Sequence, residues 1–538
     1  MLRSMTLLLI VIALMGCGGA TAAPTETPTL EPMDQPALMP EALTTELPTA
    51  ADAIIAPEIS ATGITDVNQE VTAVPMMAEG ILSVIETDNS RELVLIGIDR
   101  TIIPVMSLSV NDVAAMCSEN AMSPNGEIAA VYAGGAERGT LHLMHGTSMP
   151  QPVAQLEYLT CVLGNIAYTP DSAGLAYLEY PSGASRQEFA RGTLRLIDTT
   201  SLGAVWSADN VVAFDMAEDG IAYVSFYTNS QNEADEAAIN WYDNSSEREI
   251  ATLIPNSEDC RFTSASVARV SSAGQTAAVI GQRCDGEPRM RWQFYVIGDD
   301  ASTTLVSSDT QPGDFVAFAR NNILLASPNG AVLYFTVPDG LTANTVAIAA
   351  VDRVGLNVDV IVPNQAIVPT FRGAANAEPR LSADGRWLGF TLTNPNNENT
   401  LYALDLEDRA NPPITISAGA RGDSLSSLAF LPDSARIAYV SGASEGGDNS
   451  LFTLNLSTGT ETRVRRGNFG RHIALSPAGD QIALDEWTTA TDANGRTFPY
   501  RAIRVVSFES STEMTLFEDT TSEAAVRQTA YPLAWLGG

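Results

Sequence analysis

The stretch that decides the fold is Ala-Met-Ser-Pro-Asn-Gly-Glu-Ile-Ala, residues 121–129, in which small apolar residues lead into Ser-Pro-Asn-Gly. Proline presets φ at the first corner of a β-turn, the Asn side chain hydrogen-bonds its own backbone, and Gly adopts the positive φ that completes the turn. A stretch of alternating pattern follows, as in a half-buried strand. The motif therefore predicts two antiparallel strands joined by a tight turn.

This motif returns along the whole chain. Clear copies are Thr-Pro-Asp-Ser at 169–172, Leu-Ser-Ala-Asp-Gly at 381–385, Leu-Pro-Asp-Ser at 431–434 and Ser-Pro-Ala-Gly-Asp at 476–480. Weaker copies lie at 217–220, 271–274 and either 320–322 or 328–330. Their spacing of roughly 45–55 residues is that of a propeller blade, and each unit is predicted to form four antiparallel strands.

These units resemble the WD40-like repeats of TolB-type β-propellers, and the resemblance covers about residues 80–536. It implies an all-β fold with a single large propeller. Counting the copies gives eight or nine units, and we predict eight blades, with seven to nine as the possible range. The terminal segment Tyr531–Leu536 reads as an inner strand, and the segments between Ile81 and Leu108 supply the remaining strands of one blade. We therefore expect the N- and C-terminal strands to pair and close the ring.

The N-terminus reads as a lipoprotein signal peptide of residues 1–16. Arg3 precedes the apolar run Leu7–Leu14, and Leu14-Met15-Gly16-Cys17 resembles the bacterial lipobox, in which the cysteine is acylated. An ordinary signal peptide with a chance cysteine is the alternative. Residues 17–79 follow as a Thr/Pro-rich stretch without aromatic residues, which predicts a disordered, extended stalk before the propeller of residues 80–538.

Cysteine usage favours a compartment outside the cytoplasm. Apart from Cys17 the chain has four cysteines, and an even number in an exported protein suggests disulfides. Three pairings are possible. Cys117 and Cys161 precede turn motifs in consecutive repeats, and Cys260 and Cys284 flank one strand–turn–strand unit, so the preferred pairs are 117–161 and 260–284. A four-cysteine zinc site is disfavoured because the chain has no C-x-x-C spacing.

The formal net charge of −35 indicates which classes of partner the chain can bind. All 29 basic residues are arginine. So acidic a surface repels nucleic acid and favours cations or basic partners. Adaptation to a salty environment or a genome-wide preference for arginine is the alternative explanation. Because the chain has no lysine, it has no Walker A lysine, Schiff-base lysine or Ser-Lys dyad.

Several polar motifs were candidates for a site, and none is convincing from sequence. His142 and His145 are three apart in a predicted strand, so they point to opposite faces. Gly442–Gly446 matches the G-x-S-x-G pattern of a nucleophile elbow, and Ser444, Asp448 and His472 follow the residue order of α/β-hydrolases. Such an elbow needs a strand before it and a helix after it, whereas this segment lies in a predicted hairpin loop. The strip Arg289–Tyr295 is a candidate binding strip of arginine and aromatic side chains, but we expect an ordinary outer strand with one wet face. The acidic loops Asp299–Asp300 and Asp492–Gly495 are candidate Ca²⁺ sites, but we expect solvated turns.

The lipobox-like segment at Cys17 implies a membrane-anchored lipoprotein outside the cytoplasm, on the cell membrane or the outer membrane. We expect a non-enzymatic binding or scaffolding module with no catalytic residues, cofactor or metal. It would act as a monomer and bind an envelope protein, peptide or glycan, with membrane contact through the lipid only. A propeller hydrolase or lyase acting on polysaccharide or peptide is one alternative, and a sensory ectodomain is another. Two or more acids and an arginine converging at one mouth of the funnel would favour the enzyme.

Overall fold

A computed structural model describes the fold over residues 79–537. Stretches outside the description are 118–120, 136, 163–164, 182, 184–189, 256, 287–288, 313–323, 328, 339–344, 353–357, 367–379, 394–398, 409–411, 421–427, 443–448, 492–494 and 519–527.

The described chain is almost entirely β-strand. Strands β1 to β9 are Glu79–Glu86, Ser90–Gly97, Ile102–Ser109, Val113–Met116, Ile128–Gly134, Gly139–His145, Gln151–Leu156, Ile166–Tyr168 and Gly174–Glu179. Strands β10 to β18 are Gly192–Asp198, Ala204–Ala217, Gly220–Thr228, Ala234–Tyr242, Glu247–Leu253, Cys260–Val270, Gln275–Cys284, Arg289–Gly298 and Thr303–Pro312. Strands β19 to β27 are Leu324–Ala326, Val332–Pro338, Thr345–Asp352, Val358–Ala366, Arg380–Leu381, Trp387–Thr393, Asn399–Asp405, Ile414–Ala420 and Leu428–Phe430. Strands β28 to β35 are Arg436–Gly442, Asn449–Asn455, Thr460–Gly467, Phe469–Leu475, Gln481–Thr491, Thr497–Ser507, Glu513–Phe517 and Thr529–Gly537. A short α-helix, α1, covers Leu159–Val162, and a 3-10 turn covers Ser271–Ala273.

The repeated motif forms the turn that the sequence predicts. At its first copy, Ser123 Oγ accepts the Ile128 backbone N–H at 2.8 Å and donates to Asn125 Oδ1 at 2.7 Å. The Gly126 N–H donates to the Ser123 carbonyl at 2.8 Å, with φ of +74° at the glycine. The Asn125 N–H also donates to Ser172 Oγ in the next repeat at 3.3 Å. The motif therefore joins two strands within a unit and links that unit to its neighbour.

The strands form eight antiparallel sheets, which confirms the all-β propeller fold. Seven sheets have four strands, and the eighth has seven in the order β14-β13-β12-β11-β10-β9-β8. Strand β11 pairs with β10 over residues 204–211 and with β12 over residues 211–217, and Asn210 has a φ of +61° where the pairing changes. Counting β11 in both halves, the described strands make nine four-stranded units. The predicted number of eight blades is therefore not confirmed.

The ring closes as predicted. Strand β1 pairs with β2 on one side and with the C-terminal strand β35 on the other, from Glu79↔Gly537 to Glu86↔Thr529. The closing sheet has the order β3-β2-β1-β35, so β35 is its innermost strand. Pairing of segments from the two ends leaves no open edge at the junction.

Apolar side chains fill the space between neighbouring sheets. Phe226 of β12 stacks on Phe262 of β15 with ring centroids 5.7 Å apart, and both are fully buried. Full burial of such a side chain contributes about 1.5–3 kcal/mol. Among the helices that the structure describes, none is long and apolar enough to span a membrane.

The structure places Cys117 against Cys161 and Cys260 against Cys284, each pair at disulfide distance, with Cα–Cα separations of 4.0 and 3.9 Å. Cys260 and Cys284 are direct partners in the β15–β16 ladder. Cys17 and the stalk lie outside the described residues.

Candidate functional site

The two sides of the ring differ in their connections. Within each unit the repeated turn joins the first and second strands, and because the strands are antiparallel, the second and third strands are joined on the opposite side. We call the side of the repeated turns the turn face and the opposite side the loop face. The connection of β1 to β2 at residues 87–89 lies on the loop face.

Strand β31 is irregular at the point where a buried acid faces it. Phe469 pairs with Glu486 and Ile473 with Leu484, so residues 470–472 of β31 bulge opposite Asp485 of β32. Asp485 is fully buried, and its Oδ1 accepts the His472 backbone N–H at 3.0 Å. A Cβ added at Gly470 would lie 2.0 Å from Asp485 Oδ2. The glycine therefore makes room for the carboxylate beside the inner strand.

The His472 side chain lies between this acid and an aromatic ring. Its Nδ1 is 3.5 Å from Asp485 Oδ2, and its ring stacks on Tyr531 of β35 with centroids 4.3 Å apart. The imidazole keeps 30% of its surface exposed. His472 thus stands at the junction of two neighbouring blades, with a carboxylate behind it and solvent before it.

Arg501 of β33 completes the charge arrangement. Its Nη1 is 3.3 Å from Asp485 Oδ2, and its guanidinium carbon lies 4.9 Å from the Trp487 ring centroid and 5.4 Å from that of Tyr531. Aromatic faces attract such a cation. The single carboxylate of Asp485 is therefore shared by a guanidinium, an imidazole and a backbone N–H.

A second acid approaches the site from the closing blade. The Tyr531 hydroxyl donates to Glu86 Oε1 at 3.3 Å, and Arg91 Nε is 2.8 Å from the same oxygen. Burial, followed by the negative charge of Glu86, raises the pKa of Tyr531 far above its usual value. The phenol therefore stays protonated at neutral pH and remains a hydrogen-bond donor.

Three buried nitrogen atoms of this site have no hydrogen-bond partner among the described residues: His472 Nδ1, Trp487 Nε1 and Arg501 Nε. The 3.5 Å between His472 Nδ1 and Asp485 is within ion-pair range but does not form a hydrogen bond. Buried polar atoms normally have partners, so several unsatisfied atoms at one place point to a ligand-binding role. We call Glu86, His472, Asp485, Trp487, Arg501 and Tyr531 the Asp485 site.

A second buried charge cluster lies on the turn face, between the units that begin at β11 and β15. The Arg269 side chain is 2% exposed, and its Nη atoms contact Asp299 at 2.8 and 3.1 Å and Asp219 at 2.9 Å. Its guanidinium carbon lies 3.9 Å from the Trp241 ring centroid, although its Nε has no hydrogen-bond partner in the described part of the chain. The Arg269 backbone N–H donates to Asp215 Oδ2 at 2.7 Å. Burial raises the pKa of Asp215 to about 6.

His142 and His145 have different surroundings in the structure. His142 is buried in β6, where burial lowers the pKa of its imidazole, and its Nδ1 has no partner among the described residues. His145 Nε2 is 3.0 Å from the Thr199 carbonyl oxygen in the next unit. No group of three or more His, Cys, Asp or Glu side chains suited to a metal ion is found where the chain is described.

The acidic loops serve ordinary structural roles where they are described. Asp299 binds Arg269, and Asp300 accepts the Ser302 N–H at 3.0 Å within its own turn. Hydrogen bonds from Ser302 lower the pKa of Asp300. In the other predicted loop, residues 492–494 lie outside the described residues.

Ser444 and Asp448 of the hydrolase-like order also lie outside the described residues, whereas His472 belongs to the Asp485 site. The strip at Arg289–Tyr295 was expected to be an outer strand with one wet face. In the structure it belongs to β17, the third strand of its sheet, and Gln293, Phe294 and Tyr295 are all buried.

Sequence reasoning missed Asp485, Arg501, Tyr531 and Glu86. The available signal was local: Asp485 follows the apolar run Ile482–Leu484 in a strand, where a charged residue is costly to bury. That signal identifies the acid alone, because its partners come from four other strands.

No known protein family and no curated protein matches the sequence. Solved structures do match, at low similarity. An oligogalacturonate lyase from Vibrio parahaemolyticus is 11% identical, with a TM-score of 0.41, over 81% of this chain and 100% of that one. One of two prolyl endopeptidases is 12% identical, with a TM-score of 0.39, over 76% of this chain. TolB from Acinetobacter baumannii is 16% identical, with a TM-score of 0.25, over 65% of this chain and 80% of that one.

The chain spans about 60% of the length of that prolyl endopeptidase. These similarities are consistent with a propeller, and no family match supports a TolB-like lipoprotein more specifically. Two of the three structures are of enzymes, which contradicts the prediction that the chain is not an enzyme. We correct that prediction here, and no neighbour's activity is transferred to this chain.

Proposed function

We propose that this chain is an extracytoplasmic propeller enzyme, a hydrolase or lyase, that acts on polysaccharide or peptide at the Asp485 site. The proposal rests on one observation: the partly exposed His472 imidazole lies beside the buried Asp485, which also pairs with Arg501, and stacks on Tyr531, whose hydroxyl donates to a second acid, Glu86. Such an arrangement is the feature that distinguishes the enzyme hypothesis from a passive binding surface.

Each side chain has a role in proton transfer. His472 is the acid–base group, because its imidazole is partly exposed and lies beside a buried carboxylate. Asp485 is a positioning residue, because its buried carboxylate accepts the His472 backbone N–H and lies 3.5 Å from the imidazole Nδ1. Arg501 stabilises negative charge on the substrate, and protonated Tyr531 provides the surface against which the imidazole packs.

The unsatisfied nitrogens support this assignment together with the exposure of the imidazole. The Arg269 cluster also has an unpartnered nitrogen, Arg269 Nε, but its side chain is 2% exposed, whereas the His472 imidazole is 30% exposed. Here the His472, Trp487 and Arg501 side chains each retain a nitrogen without a partner in the described chain. A bound substrate with oxygen-rich groups supplies the missing acceptors.

The test is an activity screen of the full chain, purified in detergent, against panels of polysaccharides and peptides. We expect turnover of at least one substrate and a loss on the order of 10²–10⁴-fold in kcat for His472→Gln. His145→Gln is the matched control, because it removes a partly buried imidazole outside the site. Equal rates for His472→Gln and the unmodified chain would refute the assignment.

Asp485→Asn tests positioning in the same assay. We expect kcat to fall on the order of tenfold or more with KM nearly unchanged, because the substrate still binds while the imidazole is misplaced. A purely structural role for Asp485 would lower the amount of active protein and leave kcat and KM per active site unchanged.

Anchoring through a lipid on Cys17 is the second part of the proposal. The two cysteine pairs at disulfide distance are compatible with an oxidising compartment. In cells fed an alkyne-labelled fatty acid, the chain should carry the label, and Cys17→Ser should abolish it and release the protein from membranes. A labelled Cys17→Ser chain would exclude this anchor.

A further inference from the structure

The innermost strand of the closing sheet, β35, is attached to its blade differently from the other inner strands. In the sheets that the structure describes, every other inner strand pairs with the strand that follows it directly in the chain, as β31 does with β32. Strand β35 is the last strand, and its ladder partner is β1, from the other end of the chain. We call this pairing of β1 with β35 the closing ladder. No turn connects its two strands, so the place of β35 in the sheet depends on the ladder itself.

The Asp485 site takes one of its side chains from β35. The Tyr531 ring stacks on His472 with centroids 4.3 Å apart and lies 5.4 Å from the Arg501 guanidinium carbon. In the closing ladder Tyr531 pairs with Val84 and lies diagonally opposite Glu86, a separation that long side chains can span. The register of the ladder therefore brings the Tyr531 hydroxyl to Glu86 Oε1, at 3.3 Å.

Glu86 is held in turn from the other side of β1. It pairs with Arg91 in the β1–β2 ladder, and Arg91 Nε is 2.8 Å from Glu86 Oε1. The Nη1 of Arg91 also donates to the carbonyl of Asp112, in the connection that leads to β4. A continuous series of contacts therefore runs from the start of the next blade, through β2, β1 and β35, to His472 in the last blade.

An apolar cluster closes the same junction between blades. Ile81 of β1 and Trp535 of β35 are ladder partners, and both belong to a buried cluster with Ala483 of β32 and Ile503 of β33. Strand β1 thus supplies β35 with its ladder and with part of the apolar core that packs against the last blade. Loss of β1 would remove both supports of the Tyr531 ring at once.

We propose that closure of the ring activates the Asp485 site: Tyr531 and Glu86 are positioning residues that hold the His472 imidazole only while β1 is paired with β35. This inference rests on the proposed function and concerns the regulation of that site. When β1 detaches, the imidazole loses the ring against which it packs, and proton transfer requires a fixed geometry. Because Glu86 and Tyr531 are 445 positions apart, the site stays inactive until both ends of the chain have folded together.

The first measurement follows the His472 imidazole by NMR of the full chain labelled with ¹³C-histidine. The chain has three histidines, and loss of one signal in His472→Gln identifies the signal of this residue. Glu86→Ala removes the acceptor of the Tyr531 hydroxyl, and we expect the His472 signal to lose the shift that stacking on the tyrosine ring causes. Glu79→Ala is the matched control, because Glu79 is an exposed acid at the other end of the same strand. An unmoved signal in Glu86→Ala, or equal changes in the two variants, would overturn the inference.

Tyr531→Phe separates positioning from the charge of Glu86. It keeps the aromatic ring and removes the hydroxyl, so it should move the His472 signal as Glu86→Ala does. If the two residues act through their hydrogen bond, Glu86→Ala/Tyr531→Phe should change the signal no further than either single variant. Additive changes would assign the effect to the charge of Glu86 and overturn the positioning role.

A second pair of variants tests the closing ladder away from the site. Ile81→Ala weakens β1, and Ile221→Ala is its match, since each is a fully buried isoleucine that follows a glycine near the start of the second strand of its unit. We expect Ile81→Ala to accelerate hydrogen exchange in β1 and β35 on the order of tenfold or more. The same variant should lower the urea concentration at which the folded His472 signal disappears, and Ile221→Ala should lower it less. Equal effects of the two variants, or a His472 signal that persists after β1 has exchanged, would overturn the inference.

Turnover separates this inference from the proposed function. We expect Glu86→Ala to lower kcat on the order of tenfold with KM nearly unchanged, and Glu79→Ala to leave both constants unchanged. An unchanged kcat in Glu86→Ala, with His472→Gln inactive, would overturn the inference and leave the proposed function standing. If the His472 signal follows the closing ladder but His472→Gln retains every activity, the proposed function fails and the coupling of the imidazole to ring closure stands.

Discussion

The two buried charge clusters differ in how completely their charges are satisfied. Around Arg269, acids hold both terminal nitrogens of one cation at 2.8–3.1 Å, and almost none of the side chain reaches solvent. Around Asp485, cations hold one acid at 3.3–3.5 Å, and His472 and Arg501 remain 30% and 18% exposed. We infer that the Arg269 cluster is a joint between blades, whereas the Asp485 site is left open for a ligand.

The largest expected effect tests whether the Arg269 cluster holds two blades together. Arg269→Ala leaves Asp219 and Asp299 facing each other without their cation, and we expect it to lower the free energy of unfolding by about 3–5 kcal/mol. Urea unfolding followed by tryptophan fluorescence measures the loss. Arg248→Ala is the control: Arg248 also pairs with Asp299, but it is 44% exposed, so its loss should stay within about 1 kcal/mol. The distinction between the two clusters fails if Asp485→Asn lowers the free energy of unfolding as much as Arg269→Ala does.

A second, smaller effect is a gain in stability. The pKa of Asp215 is raised by burial from 3.8 to about 6, so this carboxyl stabilises the fold relative to the unfolded chain below pH 4, and that contribution is lost as pH rises through 6. Asp215→Asn removes the cost of ionisation and still accepts the Arg269 N–H. We therefore expect the variant to be more stable by up to about 3 kcal/mol at pH 7 and nearly unchanged at pH 4. A pH-independent difference would contradict this account.

The smallest expected change in stability affects the Asp485 site. In Gly470→Ala the new methyl group overlaps the Asp485 carboxylate, and we expect a loss of about 1–3 kcal/mol together with weakened substrate turnover. Gly135→Ala is the control, because its nearest neighbour, the Arg138 carbonyl, is 3.4 Å away. Full activity in Gly470→Ala would show that the position of the carboxylate does not matter to catalysis.

The fold was predictable because its information is local and repeated. Each Ser-x-Asp/Asn-Gly turn specifies its own pair of strands, so errors at degenerate copies do not alter the fold class. The number of blades was harder to predict from the sequence. Strand β11 belongs to two units, and no turn motif inside it marks where one unit ends and the next begins.

The site was not predictable because its information is distributed. Glu86 and Tyr531 are separated by 445 positions and meet only when the ring closes. His472 was recognised as one of three histidines, but its relevant partner was Asp485 in the adjacent strand and not the serine and aspartate of a hydrolase-like order. Pairing register in three dimensions, which no single segment encodes, determines which charges meet.

The placement of β1 in the closing sheet also has a mechanical consequence. A pull transmitted through the chain before Glu79 acts along the axis of β1, which is held by seven residue pairs on the β2 side and eight on the β35 side. Tension in that direction loads both ladders in shear, so the rungs must yield together instead of unzipping one by one. A propeller pulled by its N-terminus would thus be held by two ladders at once.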